Sequence, residues 1–369
     1  MNVPPLFTET IRDIRGIETT PRADSEHLQS AIQWLYRTQD VTDCAGSAAG
    51  YNLVLGWSGP YPETSGYIVP TLYDYAEATG ATEARERARR MASWLVTLQL
   101  DSGGFPAGVD PGPDPEPSVF NTGQILLGLV RAYRETGDET YREAARRASE
   151  WLVSVQHEDG YWDRFDYRDE IHVYCSRVAW SLLEVYEITG VSEFRDAAVN
   201  HLSWVVSQQR SNGWFEYCGF SPGETPFLHT IAYTIRGLLE GGALLDDGTF
   251  IDAARTAAEK LRTIQRQRGP LTGAYDSNWS GASYYCLTGN AQMSVVWFRL
   301  SNLCGDEAYG DAATEALRFL KAKQRLTGPE QVRGAIRGSH PVWGPYMRLR
   351  YPNWATKFFA DAVLAQTQK

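Results

Sequence analysis

The sequence predicts an all-α fold in which six helical hairpins close into one ring, an (α/α)6 toroid. One short phrase, Trp-Leu-x-x-x-Gln or a close variant, occurs six times, and successive copies start 53 to 60 residues apart. A fixed period of this length indicates one repeated supersecondary unit. Each repeat also carries two different helical patterns and has room for two helices and two loops. The six copies start at Trp34, Trp94, Trp151, Trp204, Lys260 and Phe319.

The helix that ends in each phrase is predicted to lie in the outer ring. Over 139–156, apolar residues recur at spacings of three and four, while Arg and Glu fill the opposite face. A charged face opposite an apolar face is typical of a helix with one side in water. The first outer helix is predicted over about 25–39.

The second helix of each repeat is more apolar and richer in small residues, so it is predicted to lie in the inner ring. Gly80, Gly137 and Gly190 follow such helices, as is typical of a helix C-terminus. The inner helices are predicted near 64–79, 120–136, 173–189, 229–243, 288–303 and 353–367. Because the chain starts with an outer helix and ends with an inner one, these two helices are expected to pair and close the ring.

The repeat favours a single domain over 1–369, with 1–24 as an N-terminal extension and 25–369 as the ring. The Pro- and Gly-rich segment 101–119 is interpreted as a loop on the rim, not as a linker between domains. Each loop that follows the repeated phrase leads into an inner helix. These rim loops are therefore expected to surround one opening of the ring.

Composition and charge exclude several classes of function. The chain is 43% hydrophobic and 22% charged, with a net charge of −10 and no basic run, so no nucleic-acid partner is expected. No stretch approaches 18 continuous apolar residues, so membrane insertion is not expected. The five cysteines are scattered without a CxxC pair, and the N-terminus lacks an apolar leader, which predicts a cytoplasmic protein. Ligand spacing for a metal is missing, and no metal or cofactor is expected.

A second motif follows three of the outer helices. Residues 156–162 read QHEDGYW and fit the QxxxGxW pattern of squalene cyclases and related prenyltransferase-like toroids, and 99–105 and 209–215 are near copies. The chain thus resembles an α/α-toroid over most of its length. In that superfamily the motif ties one repeat to the next, so the resemblance implies a fold and not a reaction. The DxDD and DDxxD motifs of terpenoid chemistry are missing, which makes a terpenoid ligand the weaker alternative.

The inner-helix half of nearly every repeat is similar to bacterial toroid proteins encoded with polysaccharide-assembly genes. The matching stretches are 61–70, 120–124, 229–240, 286–292 and 351–359. That group resembles the helical domain of glucuronyl C5-epimerases in layout and, more distantly, polysaccharide lyases and unsaturated glucuronyl hydrolases. The resemblance implies a carbohydrate substrate and leaves the reaction open.

Polar side chains concentrate where the inner helices begin, and these starts converge on one end of a closed ring. The candidate catalytic residues are Glu63, His172, Tyr174, His229 and Tyr233. The candidate substrate-binding residues are Asn121, Gln124, Arg177, Arg236, Trp279, Asn290, Gln292, His340, Asn353 and Lys357.

Several of these candidates also have a structural interpretation. His229, Tyr233 and Arg236 share one helix face, which either lines the pocket or bonds to neighbouring helices. Asn121 and Asn353 are good N-caps by residue type. Arg177, in an apolar helix, either pairs with a carboxylate of the protein or binds a substrate carboxylate.

Two classes of reaction fit this set. His, Tyr, Arg, Asn and Gln dominate it, which favours proton abstraction next to a uronate carboxylate, as in a lyase or C5-epimerase. In that mechanism His229 and Tyr233 are the acid/base candidates, and Arg177 and Arg236 neutralise the carboxylate. Glycoside hydrolysis needs carboxyl groups instead. The candidates for that role are Glu63 and Asp276, with Asp163, Asp166 and Glu216 as further carboxyls that form no evident pair. A non-catalytic glycan-binding protein is the third alternative.

Overall fold

Two concentric rings of helices form the fold in the computed structural model, which describes residues 5–367. The predicted (α/α)6 fold class is confirmed. The outer helices are α2 (Asp24–Asp40), α4 (Thr82–Thr97), α6 (Glu139–Ser154), α8 (Ser192–Ser207), α10 (Gly248–Arg268) and α12 (Glu307–Lys323). The inner helices are α3 (Pro62–Thr79), α5 (Val119–Thr136), α7 (Ser176–Thr189), α9 (Leu228–Leu245), α11 (Leu287–Cys304) and α13 (Asn353–Thr367). A further helix, α1 (Pro5–Ile14), precedes the rings.

Each inner helix packs against the next one in the chain, and α13 packs against both α3 and the outer helix α2. The inner helices therefore form a closed circle in which α3 faces α9. One predicted inner helix differs at its start, because residues Val173–Cys175 form a 3-10 turn before α7 begins at Ser176.

Small residues allow the inner helices to approach one another closely. A Cβ atom added to Gly66 of α3 would lie 2.5 Å from the Cα atom of Ile125 in α5, and one added to Gly128 would clash with the Gly66 carbonyl. The backbones of α3 and α5 thus touch where both helices carry glycine. This contact explains why the inner helices are rich in small residues.

The last residue of the repeated phrase, a glutamine, makes the same kind of hydrogen bond in every repeat. The side-chain amide of Gln156 donates to the Gly160 carbonyl at 2.9 Å and to the Ala197 carbonyl of the next outer helix at 3.0 Å. The other five glutamines also donate to the next outer helix: Gln39 to Arg87, Gln99 to Ala144, Gln209 to Ala253, Gln265 to Ala312 and Gln324 to His27. The last of these bonds joins the sixth repeat to the first.

Short strands join the rim loops at the end of the ring where the inner helices begin. One antiparallel sheet has the order β2 (Gly56–Trp57), β1 (Gly50–Asn52) and β5 (Arg350–Pro352), with Tyr51 opposite Tyr351. A second pairs β3 (Tyr285–Cys286) with β4 (Ser339–His340). The first sheet bonds the rim loop of the first repeat to that of the last.

Helix α1 docks against the rim loop of the last repeat through a buried charge. Glu9 is fully buried, and its carboxylate accepts hydrogen bonds from Arg325 and, at 2.7 Å, from the Tyr351 hydroxyl. Asp13 makes an ion pair of 2.6 Å with Arg337. The segment predicted as an N-terminal extension therefore contributes a helix that is bonded to the ring.

Over the described residues, no helix is both long and apolar enough to cross a membrane.

Candidate active site

A cavity of about 1000 Å³ opens at the end of the ring where the inner helices begin. We call it the large cavity. Its walls are rich in aromatic side chains, which suits ligands with flat apolar faces. The aromatic lining consists of Tyr61, Tyr67, Phe120, Phe165, Tyr167, Tyr174, Phe220, Tyr233, Tyr346 and Trp354.

Glu63 projects into the large cavity from the first turn of α3. Pro62 opens this helix, so the carboxyl group lies beside backbone N–H groups that have no partner within the helix. Glu63 is buried and accepts a hydrogen bond from the Tyr61 hydroxyl. Burial raises the pKa of Glu63 to about 7, although Tyr61 and Arg177 act in the opposite direction. The carboxyl group therefore carries a proton in a large share of molecules near neutral pH.

Asp166 supplies a second carboxyl group to the same cavity from the rim loop after α6. One oxygen, Oδ2, lies 3.0 Å from Nδ1 of His172 and accepts the Cys175 thiol at 3.1 Å. The other oxygen, Oδ1, is buried and has no hydrogen-bond partner within residues 5–367. The Asp166 charge also contributes to the raised pKa of Glu63, so the two carboxyl groups act on each other.

His229 reaches the large cavity from α9, the helix that faces α3. Its Nδ1 lies 3.1 Å from Oε1 of Gln292, so this nitrogen carries the proton and Nε2 is left as an acceptor. Burial lowers the pKa of His229 to about 3, which keeps the ring neutral. The imidazole packs against Tyr233 and Tyr346, with ring centroids 4.3 and 5.3 Å away.

Tyr174 and Asn121 also line the large cavity, whereas His172 lies behind its wall. The His172 ring stacks on Tyr174 at a centroid distance of 4.4 Å. The side chain of Asn121 donates to the Pro106 carbonyl at 2.9 Å, which ties the rim loop to α5. The cap of that helix is Ser118, which accepts from the Asn121 N–H group, so the predicted capping role falls to a neighbour.

Four other candidates line a different cavity, of about 300 Å³, formed farther along the inner helices. We call it the small cavity. Its candidates are Arg177, Arg236, Gln292 and Lys357, and Gln124 lies beside it with its Oε1 accepting from Arg177 at 2.7 Å. Tyr67 lines both cavities. The predicted set of polar residues is thus divided between two spaces.

Asn290 and Asn353 fasten rim loops to inner helices. The Asn290 side chain donates to the Leu271 carbonyl at 2.8 Å, and that of Asn353 donates to the Ala48 carbonyl at 2.8 Å. Neither residue lines either cavity. Their bonds repeat the one that Asn121 makes in the second repeat.

Trp279 and His340 also lie outside both cavities. Trp279 is buried and donates to the Asn212 carbonyl at 3.1 Å. His340 stacks on Tyr285 and contacts Arg337 at 2.9 Å, next to the docked helix α1. Both positions stabilise the rim.

The hydrolytic candidate Asp276 lies in an exposed turn. Its carboxylate accepts the N–H groups of Asn278 and Ser280 at 2.9 and 2.8 Å, which lowers its pKa. In contrast, Asp166 lines the large cavity together with Glu63. Asp166 stands six residues before His172 in the same loop, a spacing that could have pointed to the bond between them. Over residues 5–367, no group of three or more His, Cys, Asp or Glu side chains is placed to hold a metal ion.

No known protein-family model matches this sequence, and no curated protein matches it. Solved structures with a similar fold include a sugar epimerase from a ruminal bacterium, with a TM-score of 0.74 and 13% identity over 92% of this chain and 97% of that one. An unsaturated glucuronyl hydrolase from a Bacillus species has a TM-score of 0.72 and 17% identity over 93% and 96% of the two chains. The cellobiose 2-epimerase of Bacillus thermoamylovorans has a TM-score of 0.72 and 10% identity over 98% and 99%.

At these identities the similarity shows the fold. Unsaturated glucuronyl hydrolases, named above as a distant resemblance, are thus among the structural neighbours. The resemblance to squalene cyclases and to glucuronyl C5-epimerases stays a prediction.

Proposed function

We propose that this protein is an enzyme that hydrolyses an acidic carbohydrate in the large cavity, with Glu63 as the proton donor and Asp166 as its carboxylate partner. The observation that carries the proposal is the buried Glu63 carboxyl group, whose pKa is raised to about 7 inside an aromatic cavity. An ordinary glutamate is ionised at neutral pH and has no proton to donate. Burial gives Glu63 the property that a general acid needs.

The second carboxyl group completes the acid/base pair. Glu63 protonates the oxygen of the bond to be broken, and Oδ1 of Asp166 accepts the proton of the attacking water. Oδ1 suits this role because it is buried beside the cavity and has no hydrogen-bond partner among the described residues. The bonds of Oδ2 to His172 and Cys175 hold the carboxylate in place.

The lining of the large cavity supports a sugar substrate. Aromatic rings such as Tyr174, Phe220 and Trp354 offer flat faces for the apolar side of a pyranose. Arg164 and Arg168 stand at the mouth with more than half of each side chain exposed, and they favour an acidic glycan. Structural neighbours named as a sugar epimerase and as a glucuronyl hydrolase agree with this class of substrate.

Epimerisation by proton abstraction is the second candidate, and one observation favours it. His229 presents an unprotonated Nε2 from α9, while Glu63 carries a proton on the opposite helix α3. Inversion at a carbon next to a carbonyl or carboxylate needs removal of a proton from one face and delivery to the other. In this reaction His229 is the base and Glu63 the acid.

The experiment that separates these reactions is proton NMR of uronate-containing oligosaccharides with the enzyme in heavy water. Hydrolysis gives new reducing-end signals and leaves the C5 proton signal of the uronate unchanged. Epimerisation replaces that proton with deuterium, and a lyase gives new vinyl signals. Asp166→Asn is expected to lower hydrolysis by about 10²-fold or more, whereas His229→Gln is expected to have a comparable effect only on epimerisation.

Glu116→Gln serves as the matched control, since Glu116 is exposed at the mouth of the same cavity. Activity lost in this control as strongly as in Glu63→Gln would contradict the assignment of Glu63. The absence of any change in every acidic glycan would refute both reactions and favour a glycan-binding or terpenoid-binding protein. A cytoplasmic location stays a prediction.

A further inference from the structure

The small cavity lies between the six inner helices, farther from their starts than the large cavity, and charged side chains line it. Its volume of about 300 Å³ falls at the lower end of the range for small-molecule sites, roughly 300–1,000 Å³. Five cations and three carboxylates line it. They are Arg131, Arg134, Arg177, Arg236 and Lys357, and Asp74, Glu184 and Asp361.

The cations other than Arg177 each have a carboxylate partner. Arg131 lies 3.0 Å from Asp74, and Arg134 lies 2.7 Å from Glu184. The same holds for Arg236 with Glu240, at 2.7 Å, and for Lys357 with Asp361, at 2.5 Å. These ion pairs neutralise most of the charge in the small cavity, so these four cations need no ligand.

Arg177 differs from these four cations because it is buried without a carboxylate partner among the described residues. Only 2% of its surface is exposed, and its one hydrogen bond from Nε goes to the neutral amide oxygen of Gln124, at 2.7 Å. Two carboxylates interact electrostatically with it: Asp361, which is already bonded to Lys357 and Thr71, and Glu63, which lines the large cavity. Arg177 also lies in the first turn of α7, where the helix dipole disfavours a cation.

Aromatic rings surround the Arg177 guanidinium. Its Cζ lies 4.6 Å from the ring centre of Tyr233, 5.2 Å from that of Trp180 and 5.8 Å from that of Phe358. Cation–π contacts stabilise a cation, but they do not replace the hydrogen bonds that the terminal nitrogens make in water. An anion in the small cavity would supply acceptors for these nitrogens.

Gln292 gives an independent indication that the small cavity is a binding site. Its side chain is 4% exposed, and its Oε1 is occupied by His229. Its Nε2 donor is buried and has no hydrogen-bond partner within residues 5–367. A buried donor without a partner is costly, and Gln292 lines the same cavity as Arg177.

We propose that the small cavity is a second binding site that takes a small anion with a carboxylate or phosphate group, held by Arg177 and Gln292. The planar guanidinium of Arg177 can donate to two oxygens of a carboxylate or of a phosphate. The Gln292 amide then donates to one of these two oxygens or, in a phosphate, to a third. The small cavity shares Tyr67 with the large cavity, and binding of an anion there does not require the proposed reaction. Since the other cations are paired with carboxylates, the unpaired Arg177 supplies the positive charge that attracts an entering anion.

Isothermal titration calorimetry with sodium phosphate and with sodium acetate, in a buffer without other small anions, tests this site. The wild-type protein is expected to bind one equivalent of at least one of the two anions. The anion with the higher affinity identifies which group the site takes. Arg177→Met is expected to weaken binding at least about tenfold, because it removes a charged hydrogen-bond donor. Arg146→Met is the matched control, since Arg146 is an exposed outer-helix arginine that pairs with Glu143.

A second variant keeps the test decisive if Arg177→Met does not fold. Ala365 lines the small cavity and is only partly buried, so Ala365→Trp fills the cavity without removing a charge. It is expected to abolish binding of the anion and to leave the melting temperature of the unliganded protein within a few degrees. No binding of either anion to the wild type at roughly 10 mM, which exceeds the Kd of a weak millimolar site, would overturn the proposal. Binding to both variants with wild-type affinity would overturn it as well.

Discussion

The protonation of Glu63 makes the stability of this protein depend on pH in a direction unusual for a glutamate. In the folded protein burial raises the pKa of Glu63 from 4.5 to about 7. A carboxyl group whose pKa is raised by folding binds protons more tightly in the folded state. Its contribution to stability is therefore fully present below pH 4.5 and is lost as the pH rises through about 7.

The size of this effect follows from the two pKa values. One pH unit of difference corresponds to about 1.4 kcal/mol, so ionised Glu63 lowers the free energy of unfolding by up to about 3 kcal/mol relative to the protonated form. Glu63→Gln removes this titration, because an amide has no proton to lose in this range. The free energy of unfolding of the variant, relative to that of the wild type, is thus expected to rise by about 3 kcal/mol between pH 4.5 and pH 8.

Urea denaturation at several pH values between 4.5 and 8 measures this difference directly. Glu116→Gln is the control, and its stability is expected to change with pH in parallel with the wild type because Glu116 is exposed. A Glu63→Gln curve parallel to the wild type would show that Glu63 does not hold a raised pKa, and the case for a general acid would fall with it. If the reasoning holds, kcat/KM of the wild type also falls above about pH 7.

Three further variants test other parts of the reasoning. Asp166→Asn is expected to reduce turnover by about 10²-fold or more, with binding of a glycan retained, and turnover kept at half of wild type would exclude Asp166 from the reaction. Tyr233→Phe is expected to change the melting temperature little, since among residues 5–367 no partner lies within hydrogen-bond distance of the buried Tyr233 hydroxyl. A loss of activity in thermally stable protein would give the hydroxyl a role in the site. Gln156→Ala is expected to lower the free energy of unfolding by about 2 kcal/mol, because it breaks one hydrogen bond to Gly160 in the following loop and one to Ala197 of the next outer helix. An equal loss in Gln208→Ala, at a half-buried position, would contradict this.

Much of the fold could be predicted from the sequence because each repeat obeys local rules. The periodicity of apolar residues placed the helices within a few residues of their observed bounds, as for α5 over Val119–Thr136. Glycine at the ends of α3, α5 and α7 adopts the left-handed conformation that ends a helix. The 3-10 turn over Val173–Cys175 was not foreseen, because it depends on how His172 and Cys175 bond to Asp166 in the folded loop.

The candidate site was harder to predict, since residue type and helix face do not say which space a side chain enters. Arg177 and Glu63 both lie in the first turns of inner helices, yet the long Arg177 side chain enters the small cavity while Glu63 enters the large one. Asn290 resembled a ligand-binding residue in the sequence, but it bonds to the backbone of its own rim loop. Asp166 lies in a loop, where no periodicity indicates direction.

The sequence by itself determined the ring, because each of the six repeats carries a glutamine that bonds to the next outer helix. All six glutamines find a partner only when the repeats stack side by side and the last one meets the first. Tertiary structure alone decided which polar groups share a cavity and how their pKa values move. The raised pKa of Glu63 arises from burial beneath aromatic rings that come from several repeats. Desolvation of this kind depends on packing across the whole ring and has no signature in any local stretch of sequence.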